Sequence, residues 1–419
     1  MRIRQSIRPL FFLVLANLVG MFAVLMHNDA SDENIVRLCV IMCGFNILAY
    51  IAINFFKLGD GYLFIITSML SSVGVIMQTR INSQGGIRQM KLYLAGACVF
   101  FSVMLIYKLL GKYFSKLAAG CFGLSVILFL ATMIFGKVHY GAKNWIEVMG
   151  ISVQPSEFIR ILFVLTLAAT FTMPCTPKEE NPEKYKKDRM RNLLYSSAVA
   201  YINTGFLILQ REWGIAVLFF VIYLSFLYIY GGSKRFLFIN LLALAAGGFV
   251  GARFMSHIQT RISVWLNPLE DINGKGYQIM QSLFAIGAGG FAGSGIGGGS
   301  PYLIPIVSSD FIFSAICEEM GVLGGIAVVL LYFVLVYRGF KIALSCTNHF
   351  NKAVCMGIST MLGVQTFIII GGVIKLIPLT GITLPFISYG GSSMITTFMA
   401  LGILQAISAM KGEVTDEIE

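Results

Sequence analysis

Three carboxylates in the stretch "VSSDFIFSAICEE" have the residue types and the spacing for acid–base chemistry. Asp310 stands where the stretch turns from polar to apolar, at the predicted start of a helix. A carboxylate at such a boundary is well placed to act as a general base. The same position suits a helix N-cap, because an aspartate can accept a hydrogen bond from a backbone amide of the first turn. Both roles remain open for Asp310, and one side chain can fill both.

Glu318 and Glu319 lie deeper, immediately before the apolar run "MGVLGGIAVVLLYFVLVY". An ideal helix carries Glu318 about 12 Å beyond Asp310. A charged side chain at that depth in a membrane is costly, so buried carboxyl groups there usually protonate or pair with a cation. We therefore predict that at least one of the two glutamates is protonated or paired, and that they serve structure or coupling.

A second group of ionisable residues follows the segment "VQPSE". Pro155 is typical of a helix start, and Glu157 in the first turn is favoured by the helix dipole. Arg160 lies one turn deeper, and Glu212 lies at a short turn in "LQREWGIAV". Because ionisable residues at such depth are usually paired or functional, we predict an ion pair between Arg160 and Glu212.

The elements that position these residues are apolar helices. Of the residues, 57% are hydrophobic and 12% charged, and mean hydropathy is +0.80. A soluble domain carries about 25% charged residues, and runs of about 20 apolar residues can cross a bilayer. The composition predicts an all-α polytopic membrane protein of about twelve transmembrane helices. The predicted spans lie near 9–27, 35–56, 62–78, 92–110, 117–135, 158–173, 193–209, 214–230, 235–255, 311–337, 353–374 and 389–410.

Charge distribution predicts the topology. With both termini inside, most of the 31 Lys and Arg residues fall in inner loops, as cytoplasmic loops prefer. The net charge of +11 therefore reflects topology and not nucleic-acid binding. Residues 79–91 run against the trend with three basic residues outside. The outer segment 256–310 is long, apolar and Gly-rich, so we expect it to pack on protein at the membrane surface.

Several familiar motifs are absent from the sequence. The run "GAGGFAGSGIGGGS" lacks the Lys-Ser/Thr that ends a phosphate-binding loop. The four histidines have no metal-ligand spacing, and no Gly-x-Ser-x-Gly nucleophile motif occurs. The eight cysteines lie mostly in apolar runs, as small buried hydrophobes do. The sequence therefore shows no evident cofactor, and its metal ligands, if it has any, are unknown.

Four segments together resemble the SEDS (shape, elongation, division and sporulation) family, the FtsW/RodA/SpoVE proteins. They are "GAKNW…ISVQPSEFIR", "RISVWLNPLEDINGKGYQIMQSLFAIGAGGFAGSGIG", "SSDFIFSAICEEMGVLGG" and "PLTGITLPFISYGGSS". The resemblance implies a ten-helix glycosyltransferase of the bacterial cytoplasmic membrane. It implies polymerisation of lipid II into peptidoglycan strands on the outer face, in division, elongation or sporulation. The implied partner is a class B penicillin-binding protein, the transpeptidase that cross-links the strands.

The resemblance also assigns residues. The essential aspartate of the family falls on Asp310, its motif tryptophan on Trp145, and its basic residue after Gln-Pro-Ser-Glu on Arg160. Trp145 equally suits an interfacial anchor. The chain departs from the family pattern at four positions, which are Asn144, Glu212, Ile306 and Ile369. Two predicted spans precede the family core, so we expect domains at 1–60 (two extra helices), 61–410 (the core) and 411–419 (a cytoplasmic tail).

The resemblance implies a transfer from an undecaprenyl-diphosphate donor to an acceptor sugar hydroxyl, with Asp310 as the base. The charge of the leaving diphosphate must be neutralised by cations, with a divalent ion such as magnesium as an option. The candidate substrate-binding residues are Lys143, Trp145, Gln154, Glu157, Arg160, Glu212, Arg261, Lys275, Tyr277, Gln278, Ser388, Tyr389 and Ser392. A lipid II flippase and a non-catalytic scaffold for a transpeptidase are the competing interpretations, since buried ionisable residues also suit transport.

Overall fold

The computed structural model describes residues 7–27, 33–139, 142–148, 150–231, 233–271 and 274–416. The side chains of residues 138, 139, 142, 148, 151, 275 and 411–416 lie outside what is described. Within these ranges the chain forms helices α1 (Arg8–His27), α2 (Glu33–Phe55), α3 (Gly61–Ile81), α4 (Ser83–Phe114), α5 (Ala118–Phe135), α6 (Pro155–Phe171), α7 (Pro182–Leu209), α8 (Trp213–Phe226), α9 (Lys234–Phe254), α10 (Ser256–Leu266), α11 (Lys275–Gly289), α12 (Ile312–Leu344), α13 (His349–Val373) and α14 (Gly391–Asp416).

Each of the twelve predicted spans coincides with one of these helices. Eleven helices of the described chain have the length and hydropathy of a membrane span. The twelfth predicted span corresponds to α6, which is apolar but has 17 residues. The prediction of an all-α polytopic membrane protein is confirmed. The helices α10 and α11 were not predicted, because the segment that contains them, 256–310, has no single apolar run of membrane-spanning length.

Helix starts follow the local sequence. Pro155 occupies the first position of α6 and Glu157 lies in its first turn, as predicted. At α3 the side chain of Asp60 accepts a hydrogen bond from the backbone amide of Tyr62 at 3.0 Å. The other oxygen of Asp60 pairs with Arg338, whose Nε lies 2.7 Å away. One carboxylate thereby caps α3 and fixes it to α12.

A small antiparallel sheet interrupts the helical pattern between α5 and α6. Its strands, β1 (Lys137–His139), β2 (Ala142–Val148) and β3 (Ile151–Val153), pair in chain order. Trp145 lies opposite Lys137 in the first pair, and Ile146 lies opposite Val153 in the second. The strands are short and mixed in polarity, so sequence periodicity did not indicate them.

The chain divides into two compact units. Unit 1 contains Met1–Leu105, Ser256–Arg338 and Gln365–Glu419. Unit 2 contains Ile106–Met255 and Gly339–Val364. Asp310, Arg261 and the "SYGGSS" segment belong to unit 1, whereas Trp145, Arg160 and Glu212 belong to unit 2.

Aromatic packing forms much of the core of each unit. In unit 1, Phe398 packs against Tyr93 and Phe386, with ring centroids 5.8 and 5.2 Å apart respectively. In unit 2, Phe163 stacks on Phe219 with centroids 4.5 Å apart. Such pairs add about 0.5–1.5 kcal/mol beyond area burial, so each unit has its own core.

Candidate active site

Asp310 lies in the turn that precedes α12 and is half-buried. Its Oδ1 accepts a hydrogen bond from the hydroxyl of Ser309 at 2.9 Å. The donor is the side chain of the preceding residue and not a backbone amide in the first turn of α12, which begins at Ile312. The described hydrogen bonds of Asp310 therefore do not make it the N-cap of α12. Burial raises the pKa of the Asp310 carboxyl, while the Ser309 hydroxyl and the charge of Arg261 act in the opposite direction.

Arg261, on α10, is the charge partner of Asp310 in unit 1. Its Nη1 donates to the backbone carbonyl of Leu379 at 2.7 Å, which fixes the guanidinium. Burial lowers the pKa of Arg261, and the negative charge of Asp310 raises it. Arg261 was predicted from the sequence as a substrate-binding residue, and the structure places its guanidinium near the Asp310 carboxylate.

Gly381 lies between these two charged side chains. A Cβ atom on this residue would stand 3.5 Å from Asp310 Oδ2 and 3.8 Å from Arg261 Nη2. Its φ of +69° is also a conformation that side-chain-bearing residues rarely adopt. A Cβ atom would make only ordinary contacts at these distances, so it is the positive φ of the "PLTG" turn, and not a lack of space, that favours glycine here.

The backbone before Asp310 is held by the "SYGGSS" segment and by α3. The hydroxyl of Ser388 donates to the carbonyl of Ser309 at 2.5 Å, and the amide of Tyr389 donates to the carbonyl of Ser308 at 2.9 Å. Gln78, a buried amide in the apolar helix α3, donates to the same Ser308 carbonyl at 2.6 Å. Three donors from two distant parts of the chain thus position the Asp310 turn.

In unit 2 the structure corrects the predicted pairing of Arg160 with Glu212. Arg160 forms its ion pair with Glu157, one turn earlier on α6, and both side chains are almost fully buried. Residues three apart on a helix are neighbours, so this pair forms within one element. Glu157 was not predicted as the partner, because its place in the first turn of α6 is also favourable for an anion without an ion pair.

Glu212 is held by neutral amides instead. Its Oε1 accepts hydrogen bonds from the side chain of Asn144, on β2, and from that of Gln154 at 2.7 Å. Burial raises the pKa of the Glu212 carboxyl, the two amides lower it, and the negative charge of Glu157 raises it further. Asn144 and Glu212 both differ from the family pattern, and in this structure they bond directly to each other.

The remaining candidates are spread over both units. Lys143, on β2, is half-buried and donates to the carbonyl of Met133 at 2.6 Å. Trp145 is half-buried on the same strand. On α11 in unit 1, Tyr277 is exposed and Gln278 is half-buried. The side chain of Lys275 lies outside the described residues.

The end of the "SYGGSS" segment differs from its start. Ser392 is buried at the start of α14, whereas Tyr389 is 38% exposed. Of the three candidates in this segment, Ser388 is committed to positioning the Asp310 turn, and Tyr389 keeps its side chain available. The contacts predicted between these residues and a substrate stay predictions.

Two contributors to the candidate site were missed from the sequence, Gln78 and Gly381. Gln78 carried a usable signal, because a buried amide in an apolar helix must find a partner. Gly381 carried none, since its position depends on tertiary contacts. Among the described residues, no group of three or more His, Cys, Asp or Glu side chains is arranged to hold a metal ion.

Comparison with known proteins decides the family. The FtsW/RodA/SpoVE family, described as "Cell cycle protein", matches residues 46–413. The chain belongs to this family. The match takes in Asp310, Arg160, Glu212 and the "SYGGSS" segment, and it begins within α2.

Individual relatives agree with this membership. The peptidoglycan glycosyltransferase RodA of Mycobacterium bovis is 33% identical over 378 residues, which cover 86% of this chain and 80% of that protein. Stage V sporulation protein E of Bacillus subtilis is 33% identical over 367 residues, covering 83% of this chain and 96% of that protein. A solved chain of a peptidoglycan synthase complex, at 23% identity, shares the fold with a TM-score of 0.69 and covers 84% of this chain and 98% of that chain.

Proposed function

We propose that this chain is a peptidoglycan glycosyltransferase that polymerises lipid II into glycan strands. The observation that carries the proposal is the Asp310 carboxylate, half-buried, held by Ser309 and faced by Arg261. The membership of this chain in the FtsW/RodA/SpoVE family supports the reaction class, and so does a relative named peptidoglycan glycosyltransferase. The chain is then a membrane enzyme that joins sugars, and Asp310 is its catalytic base.

In this reaction the acceptor sugar hydroxyl loses its proton to the Asp310 carboxylate. The acceptor oxygen forms a bond to the anomeric carbon of the donor, and the bond from that carbon to the diphosphate oxygen breaks. The electron pair of that bond leaves with the undecaprenyl diphosphate. A single placed carboxylate can supply the proton-acceptor step, as it does for the water in inverting glycosidases.

Arg261 acts on the base in this proposal, because its charge favours the ionised form of Asp310. Arg160 is buried against Glu157, so recruiting it for the diphosphate would break a buried ion pair. Lys143 is half-buried and has no carboxylate partner among the described contacts, so binding an anion there would not break an ion pair. We expect magnesium, where it takes part, to be bound chiefly by diphosphate oxygens, because Mg²⁺ usually combines substrate phosphates with one or two carboxylates and water.

The chain is a multi-pass membrane protein, and we propose that it lies in the bacterial cytoplasmic membrane with both termini inside. Asp310 is then on the outer face, where lipid-linked sugars are polymerised. The related chain from a peptidoglycan synthase complex supports a cross-linking partner, for which a class B penicillin-binding protein is our proposal. The flippase alternative is favoured by one observation, the buried Glu318 and Glu319 in a spanning helix.

The experiment uses purified protein in liposomes with labelled lipid II, with and without a class B penicillin-binding protein. The test variant is Asp310→Asn, which keeps the size of the side chain. The matched control is Glu270→Gln, an exposed carboxylate of the same outer segment. We expect polymer from the wild type and the control and none above background from Asp310→Asn.

Two other outcomes would replace the proposal. Lipid II crossing the bilayer without polymer formation supports the flippase. Neither activity, with the partner still bound, supports the scaffold. Polymer formation by Asp310→Asn at the wild-type rate would remove Asp310 from the chemistry while leaving the reaction class intact.

A further inference from the structure

Helix α12 is interrupted at Gly321, inside its membrane-spanning length. This glycine has φ 69° and ψ −178°, which no helix contains. We call residues 289–300, which pack into this break, the glycine segment. The amides of Ser294 and Gly295 donate to the carbonyls of Glu318 and Glu319, each at 3.0 Å. The break therefore exposes backbone groups of α12 that bond to the glycine segment instead of to the helix.

Glu318 and Glu319 point into the same place, beside Gly299. A Cβ atom on Gly299 would lie 3.0 Å from the carboxyl carbon of Glu318 and 3.0 Å from Cγ of Glu319. Both residues are more than nine-tenths buried, with relative exposures of 7% and 1%. The two carboxylates thus converge on the glycine segment, away from solvent.

Donors hold one oxygen of each carboxylate. The amide of Ser300 donates to Glu318 Oε1 at 2.8 Å, and Arg80 Nε lies 2.9 Å from Glu319 Oε1. The amide of Gly297 also faces the Glu319 carboxylate. The expectation that at least one of these glutamates is paired is confirmed. Amide and guanidinium donors favour the ionised form of a carboxylate, so these contacts offset part of the cost of burying the two groups.

The second oxygen of each carboxylate accepts no hydrogen bond from the described residues. Oε2 of Glu318 and Oε2 of Glu319 are buried and have no hydrogen-bond partner among the described residues. Leaving a buried charged oxygen unsatisfied costs free energy, since water no longer solvates it. Within the described residues, Arg80 is the cation paired with this carboxylate pair. Two carboxyl groups of a spanning helix thus have one paired cation between them.

We propose that Glu318, Glu319 and the glycine segment form a binding site for one monovalent metal cation of sodium size. One added positive charge neutralises the excess carboxylate, and the two free Oε2 atoms supply hard oxygen ligands. The carbonyls of Gly297 and Gly299 already accept from Arg80 Nη2 at 2.7 and 3.1 Å, so the two Oε2 atoms are the proposed protein ligands. Broken spanning helices with freed carbonyls are the setting in which membrane proteins bind Na⁺.

The site goes beyond glycosyl transfer and has its own consequence. The cation joins the glycine segment to α12, whose outer end follows directly after Asp310. Occupancy therefore stabilises the packing of the outer segment on the helix, and it does so whether or not the chain polymerises lipid II.

The test measures cation binding to the whole protein in detergent, with no substrate present. Thermal unfolding is followed while NaCl replaces N-methyl-D-glucamine chloride at constant ionic strength, with KCl and MgCl₂ as separate arms. We expect a saturable rise in the unfolding temperature with Na⁺. The variants Glu318→Gln and Glu319→Gln should lose this rise, whereas Glu33→Gln, an exposed carboxylate paired within α2, should keep it.

Direct binding of ²²Na⁺ to the wild type gives a second readout that does not depend on whether the glutamine variants fold. Saturable binding near one ion per chain supports the site. No binding and no stabilisation by Na⁺ overturn it. Stabilisation only by acidification overturns it as well, because a shared proton then neutralises the pair, and stabilisation by Mg²⁺ alone overturns the monovalent assignment.

Discussion

Asp310 in unit 1 and Glu212 in unit 2 are two carboxylates in similar positions. Each lies just before the start of an apolar helix, α12 and α8 respectively. Burial raises the pKa of both. Their neighbours differ in sign: Asp310 faces the cation Arg261, whereas Glu212 faces neutral amides and the anion Glu157. Burial is the largest influence at both carboxyl groups. The difference is that the cation Arg261 offsets part of the raised pKa of Asp310, whereas the anion Glu157 adds to the raised pKa of Glu212.

This difference in charged neighbours distinguishes the role of Asp310 from that of Glu212, which the sequence alone did not do. A general base must lose its proton at working pH, so the carboxylate beside a cation is the candidate. A carboxyl group that sits among amides near another carboxylate is suited to remain neutral or to hold a fixed hydrogen-bond network. Four predictions test this contrast.

The largest expected effect is on activity. Converting Asp310 to Asn removes the proton acceptor and should lower the polymerisation rate by about 10²- to 10⁴-fold, the usual contribution of general acid–base catalysis. The matched change Glu212→Gln keeps an oxygen for Asn144 and Gln154 and should cost less than about tenfold. Initial rates with labelled lipid II measure both. Equal losses in the two variants would erase the contrast between the units.

The second effect is on stability and concerns the buried pair in α6. Changing Arg160 to Met removes the cation from the buried Glu157 carboxylate, and breaking a buried pair in this way should cost about 3–5 kcal/mol of unfolding free energy. Adding Glu157→Gln should recover part of this loss, because the unpaired charge is gone. Reversible unfolding in mixed micelles measures the coupling.

Glu212→Gln serves as the comparison for that cycle. Because Glu212 is held by amides and not by Arg160, its coupling to Arg160→Met should be smaller than that of Glu157. A larger coupling with Glu212 would restore the ion pair that the sequence suggested and would contradict the observed geometry.

The third effect is a shift in the pH dependence of the rate. Arg261 lowers the pKa of Asp310, so Arg261→Gln should raise that pKa further above its usual range. The base is active when deprotonated, and the rate falls as pH drops through its pKa. The acidic limb of the rate profile should therefore move to higher pH in Arg261→Gln. An unmoved limb would mean that Arg261 does not act on the base.

The sequence predicted the arrangement of spanning helices well, but it predicted poorly which buried polar side chains interact with each other. Spans such as α3 and α8 follow from apolar runs, since only a continuous helix satisfies its backbone in lipid. The location of Asp310 before a spanning helix was likewise readable. The partners were not, because which polar groups meet is decided by packing between segments far apart in the chain. Arg160 shows this, since Glu157 and Glu212 were equally plausible by charge.

The same limit explains two elements that were not predicted. The sheet β1–β3 is too short and too mixed in polarity for an alternation signal. The break of α12 at Gly321 is hidden in the sequence, because "MGVLGG" resembles the small residues of an ordinary helix contact. Its cause lies in the glycine segment, which supplies the donors and acceptors that α12 gives up.

The smallest expected effect is a gain in stability from neutral side chains. A carboxyl group whose folded-state pKa is raised binds its proton more tightly in the folded state, so its charge destabilises the folded protein above that pKa. Asp310→Asn and Glu212→Gln should therefore be more stable than the wild type at pH 8, by about 0.5–2 kcal/mol. The gain should shrink as pH falls, because the folded wild type then becomes protonated and neutral as well. Glu212→Gln should gain at least as much as Asp310→Asn, since no cation among the described residues acts on the Glu212 carboxyl. Unfolding temperatures between pH 6 and 8.5 measure the order. A larger gain at Asp310 would mean that Arg261 stabilises its charge less than the surrounding amides stabilise Glu212, and the assignment of Asp310 as the ionised base would lose its physical basis.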